Sequence, residues 1–149
     1  MLTIGRLLVL CCLLVAAAGC GGKSDEEKQA EAQSGEGTVT CTGDALSGPT
    51  GLPAGFPVLD GVTLVTAKKS GPTDVVDGWS DESLEGLYNE YKERFAEAQY
   101  TVLFSEIEKD HGDSEVSYRS KDGKTEGQVA LRASCDNGNV SVHITARPA

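Results

Sequence analysis

The sequence predicts an α+β domain, an antiparallel sheet of about six strands in the order β-β-α-β-β-β-β with one amphipathic helix packed on one face. Three observations carry that prediction. Leu84, Leu87, Tyr88, Tyr91, Phe95 and Ala98 recur at helical spacing, and charged residues fill much of the remaining surface. The C-terminal third alternates apolar and polar residues at period two. Its segments are divided by Asp122-Gly123 and Asn137-Gly138, the dipeptides that most strongly favour tight hairpins.

Taken in order, residues 62–68 read as a strand, Lys69-Ser70-Gly71-Pro72 as a turn, and 73–79 as a second strand. Ser80 is placed to cap the helix, with Asp81 and Glu82 at the positive end of its dipole. Residues 100–109 form a third strand of mixed parity. Tyr100, Val102 and Phe104 share one face and Leu103 and Ile107 the other, a conflict that a bulge near Ser105 resolves. Asp110-His111-Gly112-Asp113 turns the chain, and 115–120, 125–135 and 140–146 complete the sheet.

Two-residue loops fix a register for both hairpins. The first sets Val116 against Val129, Tyr118 against Gly127 and Arg119 against Glu126. The second sets Cys135 against Val140, Leu131 against Ile144, Arg132 against His143 and Gln128 against Arg147. The large apolar residues of these strands then share one face, and a one-residue slip would destroy that agreement. The opposite face presents Ser117, Arg119, Gln128, Arg132, Ser141, His143, Thr145 and Arg147. Arg119, Arg132, His143 and Arg147 are the candidate ligand-binding residues, because guanidinium groups on a polar sheet face suit a carboxylate or phosphate. The competing reading is a solvated face with Arg119 paired to Glu126.

The N-terminus carries a different signal. Arg6 precedes an apolar run over residues 7–18 that is too short to span a bilayer, and Ala17-Ala18-Gly19-Cys20 follows. This pattern resembles the lipobox of bacterial lipoproteins. The resemblance implies that residues 1–19 are a signal peptide, that the Cys20 thiol is lipidated, and that the membrane is a partner through that lipid. Residues 20–37 then form a polar tether of roughly 20–25 Å reach, and 38–57 a Gly/Pro-rich lead-in with a short strand at 38–42. Residues 58–149 form the α+β domain. Leu52-Pro53-Ala54-Gly55-Phe56-Pro57, with Gly61 and a strand after it, also resembles small uncharacterised lipoproteins of high-GC Gram-positive bacteria. The expected location is the extracytoplasmic side of the cell membrane, or the outer membrane of a two-membrane host.

After removal of Cys11 and Cys12 with the signal peptide and lipidation of Cys20, Cys41 and Cys135 remain as an even pair in an oxidising compartment. A disulfide is predicted; a metal site and a reactive thiol are the alternatives. The formal net charge of −10 argues against a nucleic-acid partner and against electrostatic docking on anionic lipid. Asp74, Asp77, Asp81 and Glu82 gather around Trp79 without the spacing of a calcium loop, and acids at a helix start are ordinary. Trp79 alternates with Val75 and reads as core. No nucleophile elbow and no Gly-rich phosphate loop occurs, so no catalytic residue, metal or cofactor is predicted. The expected function is non-enzymatic binding of an anionic envelope glycan or an envelope protein through the exposed sheet face. The alternative is an accessory lipoprotein within an envelope complex, with no small-molecule ligand.

Overall fold

The computed structural model describes residues 39–149. The expected signal peptide, lipidated Cys20 and tether lie outside those residues. Six strands and one helix follow in the expected order: β1 (Val62–Ser70), β2 (Thr73–Ser80), α1 (Leu84–Glu97), β3 (Thr101–Glu108), β4 (Asp113–Arg119), β5 (Thr125–Arg132) and β6 (Val140–Pro148). The strands form one sheet in the order β1-β2-β6-β5-β4-β3, and every neighbouring pair is antiparallel. After the β1–β2 hairpin the helix carries the chain to the far edge. A meander then returns it strand by strand until β6 closes against β2.

The helix begins one turn later than Ser80 suggested. Ser83 is the N-cap, its Oγ accepting from the Gly86 amide at 3.1 Å. Ser80 instead stays in β2, buried, and its hydroxyl accepts from the Glu82 amide. At the other end Gln99 adopts φ 61°, a left-handed cap. Tyr100 N–H reaches the Phe95 carbonyl and Gln99 N–H the Ala96 carbonyl, and the Phe95 and Tyr100 rings meet at 5.6 Å. This is a Schellman motif with its apolar contact, and it delivers the chain directly into β3.

The helix packs over β3, β4 and β5. Leu87, Tyr88, Tyr91 and Phe95 are its buried residues. They meet Val76, Val116, Tyr118, Val129, Leu131, Val142 and Ile144, all on the covered face of the sheet. Phe95 stacks on Tyr118 at 4.9 Å, and Phe56 from the lead-in stands edge-on to Phe95, Tyr100 and Tyr118. Burial of Tyr118 pushes its phenol well above the usual tyrosine range, so the group stays neutral, and its O–H donates a hydrogen bond to the Thr145 carbonyl at 2.8 Å. That bond passes over Gly127, the cross-strand neighbour of Tyr118, where a β-carbon would overlap both the Thr145 oxygen and the Tyr118 hydroxyl.

The first hairpin keeps the expected register, Val116 to Val129 and Arg119 to Glu126, although its turn is built differently. Gly123 N–H bonds the Ser120 carbonyl and Ser120 N–H the Thr125 carbonyl, giving a longer loop. The second hairpin departs by two residues. Leu131 faces Val142, Ala130 faces His143, Arg132 faces Ser141 and Gln128 faces Thr145. The cause is that β5 stops at Arg132, short of Cys135. Ala133 N–H turns away to the Gly112 carbonyl, and Cys135 sits in the following loop, cross-linked to Cys41 with S–S 2.02 Å. A two-residue shift leaves every side chain on its expected face.

The bulge in β3 lies between Val102 and Phe104, earlier than Ser105, so Leu103 and Phe104 turn outward and are 46% and 49% exposed. No strand forms around Cys41. The lead-in is instead a strap without regular structure. Thr40 N–H bonds Ser141 Oγ, Cys41 O accepts from Asn137 and Asn139 side chains, and Gly43 O accepts from Trp79 Nε1. Leu46 N–H bonds the Leu64 carbonyl of edge strand β1, after which Leu52 and Phe56 join the helix-side core. Trp79 therefore lies on the face away from the helix, beneath the strap, rather than in the core.

Gly127→Ala forces Tyr118 and the β6 backbone apart and is expected to cost about 3 kcal/mol, the upper range for overpacking. Tyr118→Phe removes one hydrogen bond without a clash and should cost about 1 kcal/mol. Urea unfolding of both variants checks the order; equal losses would mean that the close approach at Gly127 is not the constraint.

Candidate functional site

The face opposite the helix is the candidate site. Alternation along each strand sets its residues, and the ladder pairs align them in rows. One row runs Trp79, Ser141, Arg132, Asp113, Glu108. The next runs Asp77, His143, Ala130, Glu115, Glu106, and a third Val75, Thr145, Gln128, Ser117, Phe104. Arg147, Glu126 and Arg119 form the last. Asp77, Ser141 and Thr145 are buried although no helix covers them.

All four candidate residues are on this face, as the alternation required, but they are not gathered into one anion site. Arg119 and Arg147 flank Glu126, and Arg119 Nε donates to Glu126 Oε1 at 2.8 Å. Arg132 lies at the other end, 3.4 Å from Asp113. Arg132 does not face His143. The shortened β5 brings Ala130 to that position, and His143 turns to Asp77 on β2.

The Asp77–His143 pair is the most enclosed polar contact of the face. His143 Nδ1 lies 2.6 Å from Asp77 Oδ1, with side-chain exposures of 12% and 7%. Thr66 Oγ1 donates to Asp77 Oδ2 at 3.2 Å, and Lys68 Nζ stands 3.6 Å away. Burial pushes the Asp77 carboxyl up. The hydrogen bond and charge of His143, with Lys68 and Thr66 adding to them, outweigh burial and hold it below the ordinary value of 3.8. An ionised carboxylate only accepts, so the proton between the two groups sits on Nδ1. Sequence reading placed Asp77 among possible calcium ligands and missed this partnership. The signal was its alternation with Val75 and Trp79, which becomes informative once β6 is known to lie beside β2.

Two depressions open on the face, divided by Gln128. One, of about 230 Å³, has Ala130 in its lining together with Glu106, Glu108, Asp113, Glu115 and Arg132. The other, of about 210 Å³, lies among Leu103, Ser117, Glu126, Thr145 and Arg147. The first is lined by four carboxylates and one guanidinium. The face therefore has an acidic half beside β3, where sequence reading saw an arginine strip. Sequence reading drew the face from the last three strands without Glu115 and without the third strand; Glu106 and Glu108 face outward with the bulge at either place, and it is Phe104 that changes face.

Among the described residues no group of three or more His, Cys, Asp and Glu is arranged to hold a metal ion. Asp74 pairs with Lys69 at 2.9 Å. Among the described residues, no helix is long and apolar enough to cross a membrane. The sequence matches no protein-family model and no curated protein.

A folded-state pKa below the unfolded one means that Asp77 contributes stability above about pH 4 and loses it as acid titrates the carboxylate. Asp77→Asn is expected to cost about 1–2 kcal/mol at pH 7, where a charge-assisted bond becomes a neutral one. The gap from wild type should shrink toward pH 3. Urea unfolding at both pH values tests this, and a gap independent of pH would show that the carboxylate charge is not what the pair uses.

Proposed function

We propose that this chain is a lipid-anchored protein of the extracytoplasmic side of a bacterial membrane, acting by contact rather than by chemistry, with the outer sheet face as its contact surface. The observation that carries the reading is the division of labour between the two faces of one sheet. The helix, the aromatic cluster and Phe56 fill one face. The other is a broad polar surface with two depressions whose groups engage one another: Arg119 with Glu126, Arg132 with Asp113, His143 with Asp77, Ser117 with Glu115. Such a surface offers shape and hydrogen bonds to a partner. The Cys41–Cys135 disulfide supports an oxidising compartment, and the Cys20 lipobox supports the anchor. A protein partner fits better than an anionic glycan, because carboxylates counter the arginines and Leu103 and Phe104 stand exposed at the edge.

Two measurements test the proposal. In a bacterial host fed an alkyne fatty acid, the wild type should label and fractionate with membranes, and Cys20→Ala should do neither. An unlabelled wild type overturns the anchor. A photo-crosslinking residue at Gln128, centred on the outer face, should yield discrete adducts in intact cells, whereas one at Lys92 on the exposed helix surface should not. Adducts from Lys92 alone would move the contact surface to the helix.

A further inference from the structure

The two edges of the sheet are treated differently. At β1 the strap lies alongside, and Leu46 N–H takes up the Leu64 carbonyl. At β3 the only neighbour among the described strands is β4. That edge carries Leu103 and Phe104, the two most exposed large apolar side chains of the described residues. Beyond the bulge, Phe104, Glu106 and Glu108 all point to the outer face, opposite Ser117, Glu115 and Asp113. An uncovered edge with unpaired backbone groups and exposed apolar side chains is a template for another strand.

The charges select the occupant. Glu106 stands directly across from Glu115, and Glu108 across from Asp113, two like-charge cross-strand pairs that weaken the ladder by themselves. Arg132 is the only basic side chain lining the depression they share. A second copy of this chain would bring Glu106 and Glu108 of both edges together on molecules of formal net charge −10. A strand bearing Lys or Arg on alternate residues would instead relieve both acidic pairs.

We propose that β3 is the docking edge for an extended, basic segment of a partner protein, which adds as a seventh strand. Its outward side chains, two residues apart, set an apolar residue against Phe104 and cationic residues against Glu106 and Glu108. This inference rests on the reading of the outer face as a contact surface and names the partner's chemistry.

The test uses the full chain in detergent and three short capped peptides with threonine at every second position; the positions between, which share one face, read lysine-lysine-valine-lysine-lysine in the lysine–valine peptide, glutamate-glutamate-valine-glutamate-glutamate in the glutamate–valine peptide, and lysine-lysine-glycine-lysine-lysine in the lysine–glycine peptide. The lysine–valine peptide should bind and shift the backbone amide resonances of β3, with affinity falling as salt is raised. The other two should bind at least about tenfold more weakly, the loss expected when either the charge or the apolar anchor is missing. Phe104→Asp and Glu106→Lys/Glu108→Lys should each abolish the β3 shifts while the melting temperature holds. Because the amide shifts report position, binding by a grossly altered fold would be recognised. Four results overturn the inference: no binding, equal binding of the lysine–glycine peptide, shifts spread over the helix surface, or self-association of the chain through β3. If Gln128 still crosslinks in cells after any of these, only the β3 inference fails and the contact face stands. If Gln128 yields no adducts but the peptide binds at β3, the edge stands and the broader face fails.

Discussion

The fold turns on the crossing of Tyr118 over Gly127. The tyrosine ring is the common neighbour of Phe95 from the helix and Phe56 from the strap, and its hydroxyl ties β4 to the Thr145 carbonyl of β6 across the intervening β5. One side chain therefore joins helix, sheet and strap. It lies flat only because its cross-strand neighbour has no side chain to lift it. Aromatic cover of a strand glycine restores packing that the glycine removes, and here it also gives the helix a flat platform to stack on.

Much of this was legible in the sequence, for a definite reason. Side-chain alternation in a strand reports a face, and the apolar set of β4, β5 and β6 fits only one face. What alternation does not report is a shift by two, which leaves every face unchanged. Arg132 was therefore placed correctly on the outer surface and wrongly beside His143. The loop holding Cys135 decided the matter, because β5 ends before a cysteine that answers to Cys41 rather than to the ladder. In β3 the mixed parity announced a bulge but not its place. Its actual position exposes Leu103 and Phe104 and lets Ser105 and Ile107 turn inward. The helix was read well along its apolar face and misread at its start, since Ser80 is held in β2 and the helix is capped by Ser83.

The outer face shows how an acidic protein holds its few basic groups. Its arginines sit at opposite ends of the face beside Glu126 and Asp113, and its histidine is enclosed with Asp77. Enclosing a carboxylate carries a desolvation cost, and the pair offsets it only because hydrogen bonds reach both carboxylate oxygens, from His143 and from Thr66. The acidic residues next to β3 have no such enclosure. The face thus divides into an inward-bonded half over β2 and β6 and an outward-facing half over β4 and β3.

The strap has a mechanical consequence. A pull on the chain before Cys41 does not travel along the strap toward Leu52 and Phe56. It crosses the disulfide into the loop between β5 and β6, bypassing a sequence separation of 94 between the two cysteines. The hydrogen bonds of Trp79 to Gly43 and of Leu46 to Leu64 lie beyond that cross-link. The strap is shielded from being peeled off its edge strand, and the force enters the sheet at its centre, through the two strands with neighbours on both sides. A domain held this way resists extraction by its N-terminus as one body.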